Sequence, residues 1–122
     1  MSTRAQISIV SASCVLLALS LPATAKTPFD GPWEVSAVTT QGSCDRSAHY
    51  RINIIDGQVL SGDITGVSGR VSANGSVTVT VRRKDGTAVG SGRLGGETGS
   101  GRWTIRSPSR NCAGDWQARR VP

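Results

Sequence analysis

Between Val71 and Arg82 an Asn74-Gly75 pair leads into Val77, Thr78, Val79, Thr80, Val81 and Arg82, a strict alternation of apolar and polar residues that leaves few folds open. β-branched side chains suit a pleated surface, and successive side chains of a strand point to opposite faces. Val77, Val79 and Val81 therefore share a dry face, and Thr78, Thr80 and Arg82 a wet one. Asn and Gly both tolerate positive φ, so the pair predicts a two-residue type I′ hairpin turn. A strand with one apolar face must be covered by others.

The same period of two runs through residues 26–122. It predicts strands over 33–39 (Trp33, Val35 and Ala37 inward), 48–55 (Tyr50, Ile52 and Ile54 inward) and 58–64, with Asp56-Gly57 as a hairpin turn between the last two. Further strands follow over 66–72, 77–82, 87–94, 99–106 and 112–120, with Trp103, Ile105, Gly114, Trp116 and Ala118 inward. No window holds a helical period. Lys26 to Pro32, with its prolines and glycine, predicts an extended lead-in. Eight strands spaced by about 11 residues suit a barrel or a sandwich. Short connections make sequential strands pair, and closure removes exposed edges. The expected fold is a small antiparallel up-and-down meander barrel, with a β-sandwich as the alternative. A barrel of this size is expected to fill its interior with side chains, the three tryptophans included.

Three segments repeat Ser-Gly-Arg before an apolar residue, at Ser68, Ser91 and Ser100. The glycine falls on the inner face with the apolar residue, which predicts room beside a large neighbour or strong curvature.

Residues 1–25 have a positive start at Arg4, a short apolar stretch and the small residues Ala23 and Ala25, the pattern of a secretory signal peptide cut after Ala25. The apolar stretch, broken by serines, is short for a membrane span, so none is expected after cleavage. What remains is one domain whose charge, without Arg4, is one less than the full chain's +6. In an oxidising compartment its two cysteines, Cys44 and Cys112, are expected to pair and to tie the start of the domain to its end.

The chain offers little for catalysis. His49 is the only histidine, and with both cysteines committed there is no usual zinc set, so no metal or other cofactor is expected. An enzyme would have to rest on a Glu34/Asp115 carboxylate pair or on His49. The arginines are more informative. Arg51, Arg70, Arg82, Arg93, Arg102, Arg106 and Arg119 all fall on outward faces and, at similar heights, would form a basic stripe for a polyanion. No aromatic residue interleaves with them, which argues against specific nucleic-acid binding.

Gly31-Pro32-Trp33 resembles the first-strand Gly-x-Trp of the calycin barrels, meaning lipocalins, avidins and short bacterial metalloprotease inhibitors. In lipocalins a basic residue of the last strand lies over that tryptophan, and the resemblance implies this place for Arg119 or Arg120. The wider pattern, from Phe29-Asp30-Gly31-x-Trp33 through Asp56-Gly57-Gln58-Val59 to Cys112-x-Gly114-x-Trp116, resembles a group of short exported bacterial proteins of unknown function. Members are sometimes labelled as haem-utilisation or adhesion proteins. Here no Cys-x-x-Cys-His occurs, and His49 and Tyr50, adjacent on a strand, point to opposite faces and cannot serve one haem.

The expectation is a non-enzymatic periplasmic or secreted binding module whose arginines meet an acidic polysaccharide or lipopolysaccharide. The alternative is a protease-inhibitor-like barrel with a secreted protein partner, in which the lead-in or a loop blocks an active site.

Overall fold

The computed structural model describes residues 26–122. The signal-peptide reading of residues 1–25 lies outside the described residues. Eight strands form one closed antiparallel barrel in which each pairs with its neighbour in sequence: β1 (Gly31–Gln41), β2 (Ser47–Ile55), β3 (Gln58–Leu60), β4 (Val67–Val71), β5 (Ser76–Arg83), β6 (Gly86–Leu94), β7 (Thr98–Arg106) and β8 (Asn111–Arg120), with β8 closing on β1.

Asp56-Gly57 and Asn74-Gly75 both join hairpin strands as expected, but the type I′ form expected of the second is found at the first. Type I′ geometry occurs at Asp56-Gly57, where φ is 52° and 76° and Ile55 pairs with Gln58. At Asn74-Gly75 only the glycine has positive φ, 90°, and the Gly75 amide donates to the Ser72 carbonyl at 2.9 Å, so this connection is a three-residue loop ending in a bulge. The cause is local: the Asn74 side-chain oxygen accepts from the Ser76 amide at 3.0 Å, an arrangement that favours ordinary negative φ at Asn74.

β3 is also shorter than the alternation implies. Beyond Leu60 the side chains replace the ladder: the Ser61 hydroxyl donates to the Arg51 carbonyl at 3.2 Å, and Asp63 accepts from the Arg51 amide at 3.2 Å. β3 meets β4 at a single pair, Gln58 and Arg70. This is the thinnest seam of the wall.

One end of the barrel is solid. Phe29, Trp33, Ile54, Val59, Val71, Val77, Leu94 and Ala118 pack there as the buried core. The lead-in is not extended; it turns at Thr27–Asp30 and lays Phe29 into that end. The Trp33 indole donates to the Phe29 carbonyl at 2.9 Å. Asp30 then ties the lead-in to the neighbouring turn, accepting from the amides of Asp56 at 2.8 Å and Gly57 at 3.1 Å and from the Thr27 hydroxyl at 2.7 Å.

These bonds, led by that from Thr27, hold the Asp30 carboxyl below its ordinary pKa. A carboxyl depressed on folding contributes stability that is fully present above its unfolded pKa, about 3.9, and is lost as pH falls through the folded value. Asp30→Asn is therefore expected to lower the urea midpoint at pH 7, with the gap to the parent narrowing below about pH 4. An equal gap at pH 7 and pH 2.5 would show that the carboxylate charge is irrelevant to the turn.

Candidate functional site

The solid end becomes a cup because inward residues become small toward the open end on β1 and β6, and because glycines face the two lumenal indoles. On β1 the inward residues run Trp33, Val35, Ala37 and Thr39, and on β6 Leu94, Gly92, Gly90 and Ala88, from the closed end to the open one. Above the core this leaves a cavity of about 430 Å³, walled by Val35, Ala37, Ala48, Tyr50, Ile52, Val79, Val81, Ala88, Ile105, Trp103 and Trp116. The expectation of a filled interior is thus corrected. Trp33 is fully buried, but Trp103 and Trp116 are half-buried and line open space.

Glycines explain why two indoles fail to plug the lumen. Register places Trp116 opposite Gly101, which itself faces Gly92, and Trp103 opposite Gly114. A Cβ on Gly92 or Gly101 would stand 2.5–2.6 Å from the Trp116 ring, and one on Gly114 2.7 Å from the Trp103 ring. The rings therefore lie against bare backbone. Each is pinned there, Trp116 Nε1 donating to the Ser91 carbonyl and Trp103 Nε1 to the Asp115 carbonyl, both at 3.2 Å. With their N–H groups used on the wall, the rings add no free donor to the lumen.

The mouth is polar. Thr39, Asp45, Arg83, Asp85, Ser107 and Arg110 come from the rims of the strands and the loops after β1, β5 and β7. The Cys44–Cys112 disulfide, with Cα atoms 6.1 Å apart, fixes the β1–β2 loop beside the start of β8 at this end.

The closed end is sealed by Arg120. Its guanidinium lies 4.7 Å from the centre of the Trp33 ring and donates to the carbonyls of Pro28 at 2.7 Å, Asp30 at 2.8 Å and Gly96 at 2.9 Å. Of the two arginines considered for that place, Arg120 occupies it. Arg119 points outward, and parity along β8 carries the distinction, since Arg120 shares its face with Trp116 and Ala118.

All seven outward arginines are exposed, but they do not form one group. Arg51 and Arg119 flank Glu34 on the neighbouring strands and pair with it at 3.6 and 3.4 Å. Arg70, Arg82, Arg93, Arg102 and Arg106 lie on the convex face of β4 to β7, and among the described residues none has a carboxylate within ion-pair distance.

The catalytic candidates stay apart. Glu34 stands opposite Arg119 while Asp115 stands opposite Val38, four residues along, which is roughly 13 Å. A carboxylate pair is not formed. His49 shares a hydrogen bond with the Ser36 hydroxyl, 3.1 Å, on the exposed outer surface. Tyr50, next to it, faces the lumen. The features that sequence reasoning missed are the lumen and its mouth, whose trace in the chain is the run of small inward residues on β1 and β6.

No protein-family model matches the sequence, and no curated protein or solved structure is significantly similar to it.

Proposed function

We propose that this chain is a non-enzymatic periplasmic or secreted binding module that holds a small, largely apolar molecule inside the barrel. The observation that carries the reading is the cup itself: a closed apolar floor, an open polar mouth and about 430 Å³ between them, within the range of roughly 300–1,000 Å³ common for small-molecule sites. The lumen walls are chiefly aliphatic and aromatic, so affinity comes from removing apolar surface from water. Asp45, Arg83, Asp85 and Arg110 at the rim offer both signs of charge to a polar end. The arrangement of Gly31, Trp33 and Arg120 resembles that of the calycin barrels and supports the same reading. The lead-in, named above as a protease-blocking segment, has its apolar side chain committed to the barrel floor.

A neutral fluorescent probe, N-phenyl-1-naphthylamine, is expected to bind at one saturable site with enhanced emission. Ala88 pairs with Val81 and Ile105, both of which face the lumen. Ala88→Trp should fill the upper lumen and weaken the probe at least about tenfold, while circular dichroism still reports the barrel. No saturable signal from the parent, or equal binding by the variant, would refute the reading.

A further inference from the structure

We infer that the convex face of β4 to β7, with the groove beside it, is a second binding site, separate from the lumen, and that it takes an acidic polysaccharide. The register builds it. Arg82 and Arg106 sit on one rung with Thr87 between them, and Arg70 and Arg102 on another with Thr78 and Ser91 between them. Arg93 stands opposite Ser100, one diagonal step from Arg102. Arginines two strands apart are separated by roughly 10 Å and those three apart by roughly 14 Å. None faces another arginine directly across a rung, so the array has no preformed clamp for a single small anion. A polymer carrying repeated charges engages several at once, each contact raising the effective concentration of the next.

Two further observations favour a carbohydrate. Apart from the exposed Val89, the residues between the arginines are serine and threonine, whose hydroxyls both donate and accept, as sugar hydroxyls do. Next to Arg93 an open, shallow groove between side chains crosses β6, β7, β8 and β1, lined by Arg93, Ser100, Gln117, Ser36, Glu34 and Arg119. Arg93, Ser100, Gln117 and Ser36 form one continuous rung of hydrogen-bonding side chains. A nucleic acid would find no tryptophan, tyrosine or phenylalanine on the face of β4 to β7 on which to stack its bases. On the face of β4 to β7 acids stay at the margin, with Asp115 across from Arg102 on β8 but outside ion-pair distance, and the one acid that lines the groove, Glu34, is paired with Arg51 and Arg119.

The test compares charge-matched variants of residues 26–122 on heparin. Arg93→Gln with Arg102→Gln removes two charges from the face; Lys26→Gln with Arg46→Gln removes two exposed charges elsewhere. The face double should weaken heparin binding about tenfold at low salt and flatten its salt dependence, and the control double by less than about threefold. Neutral dextran should not bind. All four positions are exposed, and unchanged circular dichroism and probe binding in the lumen report intact folding, so loss of heparin binding is read independently of the cup. Equal loss from both doubles would reduce the effect to net charge and overturn the site. Tighter binding of single-stranded DNA than of heparin at matched ionic strength would overturn the polysaccharide assignment.

Discussion

Trp33→Ala should lower the stability of the barrel by about 3–5 kcal/mol, the usual cost of removing a fully buried large aromatic side chain. Trp33 has no exposed surface and is the largest side chain of the core. Its removal also strips a partner from the Phe29 carbonyl and the platform from under Arg120. Arg120→Ala should cost about 2–3 kcal/mol. A hydrogen bond from a charged donor contributes about 1.5–3 kcal/mol, but the freed carbonyls are partly reached by water, so the three do not add. The two residues should also couple: a double-mutant cycle in urea is expected to return about 0.5–2 kcal/mol for the guanidinium over the ring. Arg120→Lys should recover little, because an ammonium is a point charge without a planar fork to span carbonyls on three separate residues. Full recovery by lysine would mean that charge alone seals the floor. A cost below about 1 kcal/mol for Trp33→Ala would mean that the closed end is not the seat of stability.

Why the floor depends on this pair follows from where the chain spends its large residues. The inward positions nearest the floor carry Trp33, Ile54, Val59, Val71 and Leu94, while on β1, β2 and β6 those nearer the mouth carry Ala37, Thr39, Ala48, Gly90 and Ala88, with Val81 and Ile105 walling the open space beside them. Stability and cavity are therefore divided along the barrel axis. Loss of a side chain at the floor opens a void in packed protein, whereas a change near the mouth alters a space that is already open.

Much of this was legible in the chain because period two is a local property. The alternation in β5 is enough to put Val77, Val79 and Val81 inside and Arg82 outside, and the same parity separates Arg120 from Arg119. Short connections between eight such segments leave few closed arrangements, so the meander followed. What depended on register was not legible. That Trp116 lies over Gly101 requires knowing that Ile105 pairs with Cys112, which the loop after β7 decides. Without that pairing the indoles look like filling. The turn type at Asn74-Gly75 was misjudged for a related reason: it and Asp56-Gly57 read alike and both connect hairpins, yet the two amides of the second are held by Asp30, a residue 26 positions from the nearer one. Five acid-free arginines on one face required the third dimension too, since only the neighbours of β1 show that Glu34 occupies Arg51 and Arg119.

Removing the disulfide, by Cys44→Ala with Cys112→Ala, should cost about 4 kcal/mol, and the loss should arise chiefly in the unfolded state. In the folded barrel the bond joins segments already held together: β1 and β8 pair from Trp33 to Gln41, and the β1–β2 loop lies against β8 at its start. In the unfolded chain it closes a loop across a sequence separation of 68 and forbids many extended conformations. Two signatures separate this from loss of a native contact. The urea midpoint should fall, and the dependence on urea should steepen, because an uncrosslinked chain exposes more surface when it unfolds. The mouth supplies the second readout. Cys44 lines the cavity, so freeing its loop should speed exchange of a bound probe while the floor, held by Trp33 and Arg120, keeps its packing. An unchanged urea slope together with a lost floor would place the bond's contribution in the native packing instead.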